Sequence, residues 1–355
     1  MNLRELLLQW RDLLDERETQ TQFKDYQGRR WLSEGQLDLV LRRPEAFSDL
    51  LTEGTGNTSN GVADYAFPAD FLALKTVLLG GVPCRRIEVQ DAPKTQWGPT
   101  TADPDVAIVD AEQFRLFPTP LATVAYAAFY WARPGDLFQQ VATFEPEEAW
   151  TATDFTKVTT NLSGNTTKDS EEENTVNGLK VTAVDADTQV SSWTPGAALN
   201  LGAETDSYVE IFLHCTATTN LTSVIVEFHT TDTTAYRSYT WTKAGAPLAT
   251  GGQYLRALKS DFTTVGAALW TSLAKVYIKV VTSGNASGDS VVVDDLRIYR
   301  SPKIDAAFHP LLCTFAAAKA LQSDEGMRDE RQGENLMVEY VARANAMLGI
   351  GGKGA

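Results

Sequence analysis

The spacing of hydrophobic positions divides the chain into helix, small sheet, large sheet and helix. Leu3, Leu6, Leu7, Trp10, Leu13 and Leu14 recur at three- and four-residue steps, which lays one apolar stripe along a helix. Ser33 with Gln36 three residues on has the form of a capping box and predicts a second helix start, continued by Leu37, Val40 and Leu41. The Arg43-Pro44 step ends or kinks it, because proline disfavours helical backbone in the residue before it. The run Gly54-Thr55-Gly56-Asn57-Thr58-Ser59-Asn60-Gly61 reads as a loop on composition. Its glycines miss the spacing of a dinucleotide cradle.

Short strands with turns are predicted over residues 62–135. Val106–Val109 and Phe114–Phe117 bracket a hairpin turn, Pro118 and Pro120 end that strand, and Ala122–Trp131 is rich in strand formers. From about 144 to 300 threonine and serine rise and strict alternation takes over. Val209, Ile211, Leu213 and Cys215 share one face, Val224, Val226 and Phe228 the next, then Val276, Ile278 and Val280, then Val292, Leu296 and Ile298. Several such strands separated by polar turns argue a β-sandwich. Helix returns after Arg300, through Leu311, Leu312 and Phe315, then Leu336 to Leu348, with Gly349 at a helix C-terminus.

The expected fold class is therefore α+β and multidomain. A helical bundle with a small β-hairpin or sheet, residues 1–143 plus 301–348, is interrupted by an all-β sandwich over 144–300. Residues 349–355 form a flexible C-terminal tail. The two helical ends share one hydrophobic core only if the sandwich is an insertion between them.

Charge narrows the functional classes. The 355 residues hold 31 basic and 46 acidic side chains, a net charge of −15. Affinity for nucleic acid or anionic membrane is disfavoured, since binding phosphate needs clustered positive charge. The longest apolar runs are shorter than the roughly 20 residues of a membrane span, and charges interrupt the N-terminal leucines, so no signal peptide is expected. Cys84, Cys215 and Cys313, odd in number and far apart, suit reduced thiols.

Catalytic chemistry is poorly represented, and no enzymatic activity is expected. His214, His229 and His309 lie in no metal-ligand spacing. A simple hairpin register sets His229 across from Glu210, a cross-strand polar contact; His309, beside Pro310, reads as structural. No G-x-S-x-G elbow is present. Asp294 falls in phase with Val292, Leu296 and Ile298, which turns its carboxylate inward. A buried carboxylate requires backbone hydrogen bonds, a cationic partner or a hard metal, so Asp294 is a candidate ligand for a structural calcium, and no other cofactor is expected.

The run Val291-Val292-Val293-Asp294-Asp295-Leu296-Arg297-Ile298-Tyr299 resembles the closing strand of the jelly-roll modules of carbohydrate-binding and galactose-binding-like families. That resemblance makes the insert a jelly roll and a glycan a candidate ligand. Trp241, Tyr239 and Trp193 are the candidate platforms, with core packing the competing reading for Trp241.

With the insert set aside, the remainder resembles the head-to-tail adaptor (connector or neck) proteins of tailed bacteriophages. The features run in order: the helix through Arg11-Asp12, Trp31-Leu32-Ser33-Glu34, Tyr65-Ala66-Phe67-Pro68-Ala69-Asp70-Phe71-Leu72, Leu116-Phe117-Pro118-Thr119-Pro120, Tyr130-Trp131-Ala132-Arg133-Pro134, and His309-Pro310-Leu311-Leu312 before an alanine-rich helix. Minimal members lack the sandwich between Arg133-Pro134 and Ser301-Pro302. The resemblance implies a virion protein of the neck, assembled in the host cytoplasm as a homo-oligomeric ring, usually a dodecamer. Its partners would be the portal protein above and the tail nozzle or tail-tube protein below, with DNA passing through unread. Tyr340, Met347, Leu348, Ile350 and Lys353 are the candidate portal or ring interface. Net acidity suits a conduit whose wall should not hold phosphate. The alternative is a carbohydrate-binding module presented on a helical oligomerisation base.

Overall fold

A computed structural model describes residues 1–15, 23, 25–88, 104–110, 112–145, 147–153, 157–159, 178–182, 185–202, 207–231, 234–243, 248–284, 290–323 and 330–350. The chain forms two compact units. Gln9–Asp15, Arg30–Gly135 and Pro302–Ala355 make one; Met1–Leu8, Glu16–Arg29 and Asp136–Ser301 make the other. Helices α1 (Leu3–Leu13) and α2 (Asp25–Arg42) contribute residues to both. The leucine stripe of α1 is real, with Leu3, Leu6 and Trp10 fully buried, though Leu13 is exposed. Helix α2 begins eight residues before Ser33, so the Ser33/Gln36 pair lies inside a helix and caps nothing.

In the first unit, strands β1 (Leu51–Asn57), β2 (Asp64–Ala66), β3 (Phe71–Leu79), β4 (Val82–Pro83), β5 (Arg85–Arg86), β6 (Asp105–Ile108), β7 (Gln113–Phe117) and β8 (Ala125–Ala132) follow. They make two four-stranded sheets, ordered β1-β8-β3-β4 and β2-β7-β6-β5. Tyr65, Phe67, Leu74, Val77, Phe114 and Leu116 belong to one core with residues of both sheets. The predicted hairpin is β6–β7. Strand β1 corrects the loop expected over Gly54–Gly61: two glycines conceal a strand whose missing side chains are replaced by rings from β8.

Helices α3 (His309–Ser323) and α4 (Glu330–Met347) complete this unit. Helix α3 is buried nearly all round, its run from Leu311 to Ala318 lying wholly inside. Alanines at 316–318 let neighbours approach closely. A Cβ on Gly333 of α4 would sit 3.0 Å from the Ala318 carbonyl, and one on Gly35 of α2 would sit 3.0 Å from the Phe315 ring.

The second unit is a two-sheet sandwich. Its strands are β9 (Phe138–Ala142), β10 (Thr151–Ala152), β11 (Val158–Thr159), β12 (Leu179–Thr182), β13 (Thr188–Trp193) and β14 (Tyr208–Cys215). Then come β15 (Leu221–Thr231), β16 (Ala235–Thr242), β17 (Gly251–Leu258), β18 (Thr263–Val265), β19 (Lys275–Thr282) and β20 (Ser290–Tyr299). One sheet runs β10-β13-β19-β15-β16-β18; the other runs β11-β12-β20-β14-β17, with β9 also on β20. The alternating residues of β14, β15 and β19 meet between the sheets as expected, together with Phe144, Trp241 and Trp270.

The fold class expected from sequence is corrected in one respect. The protein is mostly β, with several sheets, and is not a helical bundle carrying a small sheet. The strong 3.6-residue periods at the two ends suggested a bundle, whereas the short strands between residues 51 and 132 supply two sheets of their own.

Candidate functional site

Strand β20 carries a buried ionic cluster on the sheet face turned away from the sandwich core. Val291 and Val293 enter that core and so do Leu296 and Ile298, a three-residue step between them. The extra residue is a bulge: Glu210 pairs with Arg297 while Phe212 pairs with Asp294, and Asp295 takes a left-handed φ of 51°. Asp294 is therefore in phase with Val292 and out of phase with Leu296 and Ile298, which corrects the sequence expectation. Its Oδ1 accepts the N–H of Asp295 at 2.7 Å.

Around the bulge, Glu210 is fully buried on β14 and accepts from Arg297 Nε and the Tyr299 hydroxyl, both at 2.7 Å. Its other oxygen meets Arg256. Asp295 Oδ2 forms an ion pair with Arg297 Nη1 and its Oδ1 accepts from Gln140 Nε2, both at 2.9 Å. Arg29 of α2, itself buried, donates to the Tyr299 hydroxyl at 2.8 Å and stacks on Phe138. Burial raises the Tyr299 phenol well above its ordinary pKa, keeping it a donor. This arrangement is a structural network of ion pairs and hydrogen bonds joining residues from α2, β9, β14, β17 and β20. Among the described residues no group of three or more His, Cys, Asp or Glu side chains is placed to hold a metal ion.

The candidate glycan platforms are differently disposed. Trp241 is 2% exposed, and its indole N–H donates to the Arg256 carbonyl at 3.1 Å. It is a core residue and offers no platform, its ring lying between the sheets with its indole bonded to β17 of the facing sheet. Tyr239 is half-buried against Trp241 and Phe262. Trp193 stacks on Trp150.

Rings that alternation turns away from the core sit elsewhere on the same sheet. His229 lies between Tyr236, stacked at 4.7 Å, and Tyr277, at 4.5 Å. Its Nε2 donates to Glu227 Oε2 at 2.9 Å, and Lys279 donates to Glu227 Oε1 at 2.6 Å. The expected His229–Glu210 register is corrected, because β14 and β15 belong to opposite sheets. His309 accepts its structural role, contacting the Ile304 carbonyl at 3.1 Å.

The expected portal or ring residues divide. Tyr340 is fully buried, donating to Asp38 at 2.5 Å, and Leu348 is buried. Helix α4 turns Tyr340 toward α2 and Phe315. Met347 and Ile350 are exposed at 43% and 36%. Lys353 lies outside the described residues.

Gln36 was read only as a cap. Its amide, 1% exposed, instead donates to the Gly135 carbonyl at 3.2 Å and accepts from the Lys303 N–H at 2.9 Å. One side chain thus holds the backbone on both sides of residues 136–301. No local pattern marks such a residue, since its partners are set by chain topology.

Residues 1–155 match the family described as SU10 adaptor protein, which supports the phage-adaptor resemblance over that stretch. The match does not extend to α3 and α4. No curated protein matches the chain. Among solved structures, the family 11 carbohydrate-binding module of the cellulosomal cellulase Lic26A-Cel5E of Clostridium thermocellum is similar at 11% identity and TM-score 0.32, covering 46% of this chain and 95% of that one. A family 30 carbohydrate-binding module gives 14% and 0.35, covering 46% and 88%. An exo-β-agarase gives 13% and 0.33, covering 48% and 26%. Similarity at this level assigns no ligand or activity. Among the described residues no helix is long and apolar enough to cross a membrane.

Proposed function

We propose that the chain is a structural virion protein, a head-to-tail adaptor that joins the portal to the tail as a ring of copies and continues the DNA channel. The observation that carries the reading is the family match over residues 1–155. Adaptors of this kind act as structural parts, not as enzymes. The net charge of −15 fits a channel wall that lets DNA slide. The sandwich is an accessory module set between Gly135 and Pro302. The test is microscopy of the chain mixed with its portal: neck density under portal particles is expected, and particles that never acquire it would sink the reading.

A second reading gives the sandwich a ligand. The Tyr236–His229–Tyr277 stack, with Glu227 and Lys279 beside it, combines ring faces and polar groups as sugar recognition requires. Binding on a glycan array that is lost in Tyr277→Ala and kept in Tyr239→Ala would support it. An array without signal would remove it.

A further inference from the structure

The sheet β10-β13-β19-β15-β16-β18 turns one face to the sandwich core and the other away from it. Val276, Ile278 and Val280 of β19 enter the core, as do Val224, Val226 and Phe228 of β15. Alternation therefore puts Lys275, Tyr277, Glu227 and His229 on the outer face. Pairing aligns them across the strands. Ser192, Tyr277, Glu227, Ser238 and Thr263 form one row over five strands. At about 4.8 Å between strands the row is roughly 19 Å long. Lys275, His229 and Tyr236 form the row beside it.

Charge sets this sheet apart. Its strands carry Lys275, Lys279 and Arg237 against one acid, Glu227, a positive surplus in a chain of net charge −15. Arg237 is committed to the Ala268 carbonyl, at 3.2 and 3.0 Å. Lys279 is committed to Glu227 at 2.6 Å. Lys275 differs: it is half-buried, its Nζ lies 4.9 Å from the centre of the Tyr277 ring, and among the described residues it pairs with no carboxylate. The ring face holds an ammonium in place without neutralising it. Among the described residues the hydroxyls of Ser192, Ser238, Tyr236 and Tyr277 make no hydrogen bond, which leaves them as donors and acceptors for a ligand.

We propose that this face binds an acidic oligosaccharide, its carboxylate on Lys275 beside Tyr277 and its hydroxyls on the row through Ser192 and Ser238. The inference rests on the second reading above, which gives the sandwich a sugar, and adds the charge that the sugar carries. A single unpaired ammonium among hydroxyls matches a carboxylate on a polyhydroxylated ligand. A densely charged polyphosphate would need clustered cations. The acids elsewhere in the chain do not cancel the effect, because exposed charges farther away than about 8 Å are largely screened at physiological salt.

The test titrates the full chain calorimetrically with trigalacturonate and its neutral counterpart galactotriose, then with sialyllactose and lactose. One acidic sugar at least should bind about tenfold more tightly than its neutral partner, the worth of one added charge contact. That advantage should shrink with added salt and vanish in Lys275→Gln, with circular dichroism unchanged. Tyr277→Ala should weaken acidic and neutral sugars alike. Equal binding of acidic and neutral sugars overturns the proposal and leaves the second reading standing. Acidic-sugar binding that survives Lys275→Gln overturns the assignment to this face. No binding of any of the four sugars overturns the proposal and the second reading together.

Discussion

The side-chain amide of Gln36 accepts the backbone N–H of Lys303, a residue 267 positions later, at 2.9 Å. The same amide donates to Gly135. Departure and return of the chain around residues 136–301 are thus fixed at one buried side chain, so joining Gly135 to Pro302 by a short linker should leave a flanking part that still unfolds cooperatively. Scanning calorimetry would decide it; a broad transition without a heat peak counts against the nested arrangement. In the full chain, Gln36→Leu should cost about 1–3 kcal/mol, the range for depriving buried polar groups of partners.

Glu210 predicts a large loss on the sandwich side. It is fully buried between Arg297 and Tyr299. Replacing it with alanine leaves the buried Arg297 guanidinium with Asp295 alone and takes the acceptor from the Tyr299 hydroxyl; breaking a buried ion pair typically costs about 3–5 kcal/mol. Denaturant unfolding should show a lower midpoint in Glu210→Ala, partly recovered in the double variant Glu210→Ala/Arg297→Met. A midpoint unchanged in the single variant would contradict the network's role.

The three thiols predict an alkaline limit. Burial, with Asp105 nearby, pushes Cys84 up to about 11, and burial pushes Cys215 and Cys313 up to about 12. A thiol whose pKa rises on folding stabilises the native state while it is protonated in both states. That contribution is full below about 8.5, the unfolded value, and is lost as pH climbs toward 11–12. Urea midpoints should therefore fall between pH 8 and 11, and fall less steeply when all three are alanine. At neutral pH the native thiols should resist a thiol reagent; rapid labelling of all three would contradict their burial.

Gly333 predicts a packing limit between helices. A Cβ there meets the Ala318 carbonyl at 3.0 Å and the backbone N of Gln322 at 3.1 Å. Backbone cannot swing aside as a side chain does, so Gly333→Val should cost about 1–3 kcal/mol, the range of overpacked sites. Thermal unfolding of the variant checks this, with Gly196→Val, which meets nothing within 4 Å, as the permissive comparison.

Much of this fold was legible along the chain. The strands through Val209, Val224 and Val276 were visible because each buries alternate residues in a single core. Strand β1 was hidden because glycine at 54 and 56 answers to rings 76 and 70 positions away in β8, which no local pattern reports. The inward phase assigned to Asp294 failed at the Asp295 bulge, where one extra residue inverts the face. Trp241 had core packing as one of its two readings and is a core residue, while Tyr340, expected at an interface, is also interior, since burial of an aromatic depends on which element arrives opposite. Gln36 carried only the form of a capping box, which lies inside α2 and points to neither of its actual partners.

Helix α3 presents almost no wet surface, its residues from Leu311 to Ala318 all being buried. A segment with no outward side has nothing to offer another molecule. Anything that docks against the unit that contains it must grip other elements, and α3 is left as an axle that keeps those elements in fixed mutual alignment.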